Sequence, residues 1–186
     1  YQIQVPADQT LRVALNAGNN TSVNALHLRH DQVPTSALYD ATYSGPLSSN
    51  LTAIIPSTQP GTYFVLVRGF SGPAGGTSVT LLAEQLPLLI TGIQSDRGGD
   101  SKYVTTTISG AQFSSQATVK LVRPGIAEFE PVSYKVIDST KTIAIWDFTG
   151  APHGQYDLVV TNPDGQQAIL PYRFLVERSI EPDVTI

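Results

Sequence analysis

Apolar and polar residues alternate with a period of two along most of this chain, and the 3.6-residue period of an amphipathic helix is almost nowhere to be found. Leu11-Arg12-Val13-Ala14-Leu15, Thr62-Tyr63-Phe64-Val65-Leu66-Val67-Arg68 and Tyr156-Asp157-Leu158-Val159-Val160 are such runs. In a strand, successive side chains point to opposite faces, so a run of this kind describes a half-buried strand. Turn formers interrupt the runs at short intervals: Asn16-Ala17-Gly18-Asn19-Asn20, Gln59-Pro60-Gly61, Ser71-Gly72-Pro73-Ala74-Gly75-Gly76 and Asn162-Pro163-Asp164-Gly165. Many short strands punctuated by Gly, Pro and Asn predict an all-β chain built as sandwiches.

The chain has 186 residues, of which 41% are hydrophobic and 14% charged, a balance that favours folding over disorder. Its formal net charge is −4, so a nucleic-acid partner is not expected. No stretch approaches the roughly 20 apolar residues of a membrane-spanning helix, and membrane insertion is not expected either. The absence of cysteine excludes disulfides and thiolate metal sites. Methionine is absent too, and the chain opens directly on the strand-like Tyr1-Gln2-Ile3-Gln4-Val5, which reads as a segment of a longer protein.

A boundary is expected near Pro87. The strand-like Ser78-Val79-Thr80-Leu81-Leu82-Ala83-Glu84 closes one module, and Leu88-Leu89-Ile90-Thr91-Gly92-Ile93 opens the next after almost no linker. The expected organisation is a first sandwich over 1–86, a second over 87–178, and the start of a linker over 179–186.

The first half carries Tyr1 to Val13 as strand, turn and strand, then Val33-Pro34-Thr35-Ser36-Ala37-Leu38-Tyr39-Asp40 and Pro60-Gly61-Thr62-Tyr63-Phe64-Val65-Leu66-Val67-Arg68-Gly69-Phe70-Ser71-Gly72. In these segments it resembles the bacterial pre-peptidase C-terminal domain, which implies a small jelly-roll-like sandwich. Some members carry a cysteine after the Tyr-Asp pair and another in the next strand. Here the corresponding places hold Ala41 and Ala53. The resemblance also raises calcium, because collagen-binding relatives bind it. Their acidic ligands come largely from a segment leading into the module, so no metal is expected within this chain.

The second half carries Ile90-Thr91-Gly92-Ile93, then Val104-Thr105-Thr106-Thr107-Ile108-Ser109-Gly110-Ala111-Gln112-Phe113, and closes with Gly154-Gln155-Tyr156-Asp157-Leu158-Val159-Val160-Thr161-Asn162-Pro163-Asp164-Gly165. It resembles an IPT/TIG domain, which implies an immunoglobulin-like sandwich. The expected inter-sheet core is Ile108, Phe113, Val119, Leu121, Ile143, Ile145, Leu158, Val160 and Phe174. On that parity Trp146 points to the opposite face, either covered by a loop or module or serving as a binding anchor.

Nucleophilic catalysis needs a hydroxyl or thiol beside a base that a third group orients. The histidines are His27, His30 and His153, with the first two on opposite faces of one predicted strand. There is no Gly-x-Ser-x-Gly elbow and no His-Glu-x-x-His helix. No catalytic residue and no cofactor is expected. The oxygen-rich loops, Asp96, Asp100 and Ser101 in one and Asn162 and Asp164 in another, read as turns capped by their own side chains. Tyr39, Tyr43, Phe70 and Trp146 are the candidate ligand-binding residues, since exposed aromatics offer flat faces for sugars or peptides.

These readings describe a non-catalytic accessory region of a secreted or cell-surface bacterial multidomain protein. It would act as a spacer and as an adhesion or substrate-targeting module. Its expected partners are neighbouring domains of the parent and an extracellular polysaccharide or protein. The alternative is a pair of modules flanking a secreted peptidase or glycosidase whose catalytic domain lies elsewhere.

Overall fold

The computed structural model describes residues 1–179, and every regular element among them is a β-strand. The chain divides into two compact units, Tyr1–Leu86 and Pro87–Ile186. Of the expected linker at 179–186, all but Ser179 lies outside the described residues.

The first unit consists of β1 (Gln2–Val5), β2 (Thr10–Asn16), β3 (Val23–His30), β4 (Ala41–Thr42), β5 (Leu51–Ile55), β6 (Gly61–Ser71) and β7 (Thr80–Leu86). They form two antiparallel sheets, ordered β1-β6-β3-β4 and β5-β2-β7. Apart from the β3–β4 step, every connection crosses from one sheet to the other, the jelly-roll-like winding of a two-sheet sandwich. Every second residue of β2, Leu11, Val13 and Leu15, turns inward to meet Leu26 and Leu28 of β3 and Val65 of β6. Ala41 and Ala53 are buried in this same core.

The Pro60-Gly61-Thr62-Tyr63 segment has a physical reason for its composition. Gly61 sits at φ +142°, and a Cβ there would meet His30 Nε2 at 2.7 Å. A side chain is excluded both by the backbone and by the packed ring. Two residues on, Tyr63 is buried, packs against His30 with 5.0 Å between centroids and the rings tilted by 47°, and accepts the Gln59 N–H on its hydroxyl at 3.0 Å.

The second unit consists of β8 (Leu89–Gln94), β9 (Arg97–Gly99), β10 (Tyr103–Ala111), β11 (Thr118–Arg123), β12 (Ala127–Phe129), β13 (Ser133–Asp138), β14 (Lys141–Asp147), β15 (Gly154–Thr161) and β16 (Gln167–Glu177). Its sheets are ordered β13-β14-β10-β8 and β12-β11-β15-β16-β9. Taken in chain order, these are the D-E-B-A and C-F-G sheets of an immunoglobulin sandwich. β12 is added beyond C, and β9 pairs in parallel beyond G. Tyr156, near the start of the F-equivalent strand, is fully buried and donates its hydroxyl to Pro152 O at 2.7 Å. That bond back to the chain four residues upstream is the tyrosine corner of this fold. The Asn162–Gly165 segment forms the β15–β16 hairpin turn, with the Gly165 N–H on Asn162 O at 2.9 Å and Gly165 at φ +86°.

The core contains Ile108, Phe113, Val119, Leu121, Leu158, Val160 and Phe174 as expected, but β14 has the opposite parity. Thr142, Ala144, Trp146 and Phe148 point inward, while Ile143 and Ile145 are half-buried on the other face. Both parities of this strand are apolar, so alternation alone does not choose between them. Burying two aromatic rings removes more apolar surface from water than burying two isoleucines. The indole N–H is satisfied as well, donating to Thr106 Oγ1 at 2.9 Å.

Removing the hydroxyl in Tyr63→Phe or Tyr156→Phe is expected to cost about 1 kcal/mol each. The measurement is urea denaturation, with Trp146 emission reporting the second unit. The midpoint should fall while the slope stays constant, and an unmoved midpoint would show that these hydroxyl bonds add nothing to stability.

Candidate functional site

β3 presents two different surfaces. On its outward parity lies His27, only 6% exposed. The cover comes from the segment between β3 and β4 and from the start of the next. The Tyr39 ring lies 5.0 Å from His27, tilted by 31°, and the Tyr43 ring stands edge-on at 6.0 Å. The segment is pinned by its own polar residues. Thr35 Oγ1 accepts the Leu38 N–H at 3.0 Å, and Asp40 Oδ2 accepts the His30 N–H at 2.7 Å. The Thr42 hydroxyl donates to Leu26 O at 3.1 Å and lies 3.0 Å from His27 Nδ1. With its proton committed to the carbonyl, Thr42 accepts from the ring, which places the imidazole proton on Nδ1. Burial lowers the His27 pKa from its ordinary 6.5, because the charged ring would lose its water.

Tyr39 and Tyr43 are thus brought together around a buried histidine, with Tyr39 still 42% exposed. Phe70 belongs to a different arrangement. The β3–β6 ladder pairs Asn24 with Gly69 and Val23 with Ser71, leaving Phe70 as the extra residue of a bulge. Bulges re-aim side chains, and Phe70 is 52% exposed with the Arg68 guanidinium 4.8 Å from its ring centre. Beside it opens a cleft of about 400 Å³ whose walls include Ser22, Asn24, Gly69, Gly72 and Thr77. Asn24 shares the inward parity of Leu26 and Leu28 and so continues the core face to the point where the core ends. Sequence reasoning did not single it out. The available signal was an asparagine in step with two buried leucines.

Trp146 is not a ligand anchor: it is fully buried within the second sandwich, for the reason of parity given above. The loops of that unit spend their polar groups internally. Asn162 Oδ1 accepts the Ser114 N–H at 3.0 Å, its Nδ2 donates to Gln112 O at 2.9 Å, and Asp164 Oδ1 accepts the Gln166 N–H at 3.0 Å. Asp100 binds His153 Nε2 at 2.7 Å through one oxygen and the Ser179 N–H at 2.8 Å through the other. These bonds, the histidine's foremost, hold its carboxyl down at about 2. No hydroxyl hydrogen-bonds to the His153 ring among the described residues, and His27 has a hydroxyl partner but no orienting carboxylate. Among the described residues no three His, Cys, Asp or Glu side chains converge as a metal site.

The lowered His27 pKa has a definite sign. Below pH 6.5 the unfolded chain takes up a proton that the folded ring refuses. The stability of the first unit should therefore be complete above pH 6.5 and decline from there toward the depressed folded pKa. Proton NMR titration should place the His27 midpoint below 6.5. His27→Asn should flatten the fall in denaturation midpoint between neutral and mildly acidic pH, whereas an equal fall in both proteins would remove His27 from this role.

None of the curated proteins compared matches the chain. Among solved structures, it is similar to Gamma-CGTase from alkalophilic Bacillus clarkii at 16% identity and a TM-score of 0.40, over 89% of this chain and 22% of that one. The chain thus spans about a fifth of that protein's length. It is also similar to the titin Ig tandem domains at 11% identity and a TM-score of 0.30, over 94% of this chain and 100% of that one. Within the first unit, residues 1–69 match the family model of the bacterial pre-peptidase C-terminal domain, and that stretch is the part of the chain the family accounts for.

Proposed function

We propose that this chain is a non-catalytic accessory region of a secreted or cell-surface bacterial multidomain protein, in which the first unit engages an extracellular ligand and the second acts as a spacer. The observation that carries this reading is the match of residues 1–69 to the bacterial pre-peptidase C-terminal domain. The second unit is read as an IPT/TIG-like module. In support, the motif residues Ile108 and Tyr156 are buried on the B- and F-equivalent strands, and Asn162–Gly165 forms the turn that follows the latter. The ligand-engaging residues are Tyr39, Tyr43 and Phe70 of the first unit. Partners are neighbouring domains of the parent and an extracellular polysaccharide or protein. The family's description as pre-peptidase favours a peptidase if the parent carries a catalytic domain elsewhere.

Two assays test this. Incubated with casein, gelatin, nitrophenyl esters and nitrophenyl glycosides, the chain should release nothing above buffer. Mixed with insoluble polysaccharides and with immobilised gelatin at physiological salt, it should be retained on at least one. Substituting the exposed aromatics with alanine should weaken that retention by about tenfold or more, since each such ring contributes on the order of 1–2 kcal/mol to a contact. Hydrolysis of any substrate, or release from every matrix, would overturn the proposal.

A further inference from the structure

We propose that the cleft beside Phe70 is a binding site for a ring of a neutral saccharide, an inference that rests on the ligand-engaging reading of the first unit. Its volume of about 400 Å³ lies at the small end of the roughly 300–1,000 Å³ typical of ligand sites, room for one or two sugar rings. The side chains that line it are all uncharged, which suits a neutral ligand, and the Arg68 guanidinium lies against the Phe70 ring, 4.8 Å from its centre.

The polar groups in the cleft are already oriented. Asn24 is 5% exposed, and its Nδ2 donates to Ser49 O at 3.1 Å and reaches Ser22 Oγ at 3.5 Å. Those bonds turn Oδ1 toward Gly69, where a Cβ would stand 3.8 Å from it. Among the described residues Oδ1 accepts no hydrogen bond, so its lone pairs are open to a donor in the cleft. Thr77 Oγ1, which also lines the cleft, accepts from Asn19 Nδ2 at 3.4 Å and keeps its own proton to give. One acceptor and one donor in the same cleft suit a hydroxyl-bearing ring that both donates and accepts. Phe70 supplies the flat apolar surface against which the C–H face of such a ring packs.

The glycines leave this space open without holding any strain. Neither Gly69 nor Gly72 lies at positive φ, and a Cβ at Gly72 would meet Thr77 Oγ1 at an ordinary 3.5 Å. A side chain at either would occupy the cleft and leave the backbone as it is.

The test is an amide NMR titration of the whole chain with cellohexaose, maltohexaose, xylohexaose and hexa-N-acetylchitohexaose. Hexagalacturonate and a proline-rich decapeptide serve as charged and peptidic counter-probes. At least one neutral saccharide should shift the Gly69, Phe70, Gly72 and Thr77 amides saturably, with a Kd on the order of millimolar. Phe70→Ala and Gly69→Val should weaken it at least tenfold, while Tyr103→Ala, at an exposed tyrosine of the second unit, leaves it unchanged. Should Gly69→Val collapse the spectrum, Gly69→Ala supplies the same readout. The site is overturned if no neutral saccharide moves these amides, or if only the galacturonate or the peptide does. Shifts confined to Tyr39 and Tyr43, indifferent to Phe70→Ala, overturn the cleft and leave the ligand-engaging reading standing.

Discussion

Each sandwich turns on the same local device, a glycine followed two residues later by a buried tyrosine whose hydroxyl ties back to the chain four residues upstream. Gly61 and Gly154 sit at φ +142° and +140°, and Tyr63 and Tyr156 bond to Gln59 and Pro152. In both cases another side chain lies where a Cβ would stand: the His30 ring at Gly61 and the Arg123 guanidinium at Gly154. Arg123 also donates to His153 O, tying the approach to this corner to β11. The corner fixes the depth at which a central strand enters its sandwich. Once Tyr63 or Tyr156 is seated, the parity of the strand around it follows, in β6 as far as the bulge at Phe70, and with it which side chains make the core.

Parity then decides which surfaces a strand presents as well as which side chains it buries. On β3 one parity gives Leu26 and Leu28 to the core and Asn24 to the cleft where the core ends. The other parity offers His27 to Tyr39 and Tyr43. A single strand therefore serves two chemically different surfaces. The extra residue in its partner β6 keeps Asn24 opposite a glycine and swings Phe70 to the rim.

Much of this was legible in the residues before any coordinates. The alternation in Leu11–Leu15 and Tyr156–Val160 names the core side of β2 and β15 directly, because one parity there is wholly apolar and the other holds a charged residue, Arg12 or Asp157. β14 was misread for the converse reason: Thr-Ile-Ala-Ile-Trp-Asp-Phe is apolar on both parities. The choice rests on how much ring surface the facing sheet can bury and on whether Thr106 can receive the indole N–H, neither of which is a local property. The pairing of Tyr39 with Tyr43 around His27 was likewise hidden, since it depends on a segment folding back over a strand ten residues earlier. The bulge that frees Phe70 is marked in the sequence only by Gly69, a glycine inside a strand-like run.

The margins of these sheets carry a last consequence. β4 has two residues and β9 and β12 have three each, so several of the outermost strands are among the shortest in the molecule. An unpaired strand edge is a template on which another chain can hydrogen-bond, and brevity blunts it. Modules joined in series sit at high local concentration, where edge-to-edge fusion would be frequent if the margins were long and flat. Stubby margins leave each sandwich little edge on which a further strand could add.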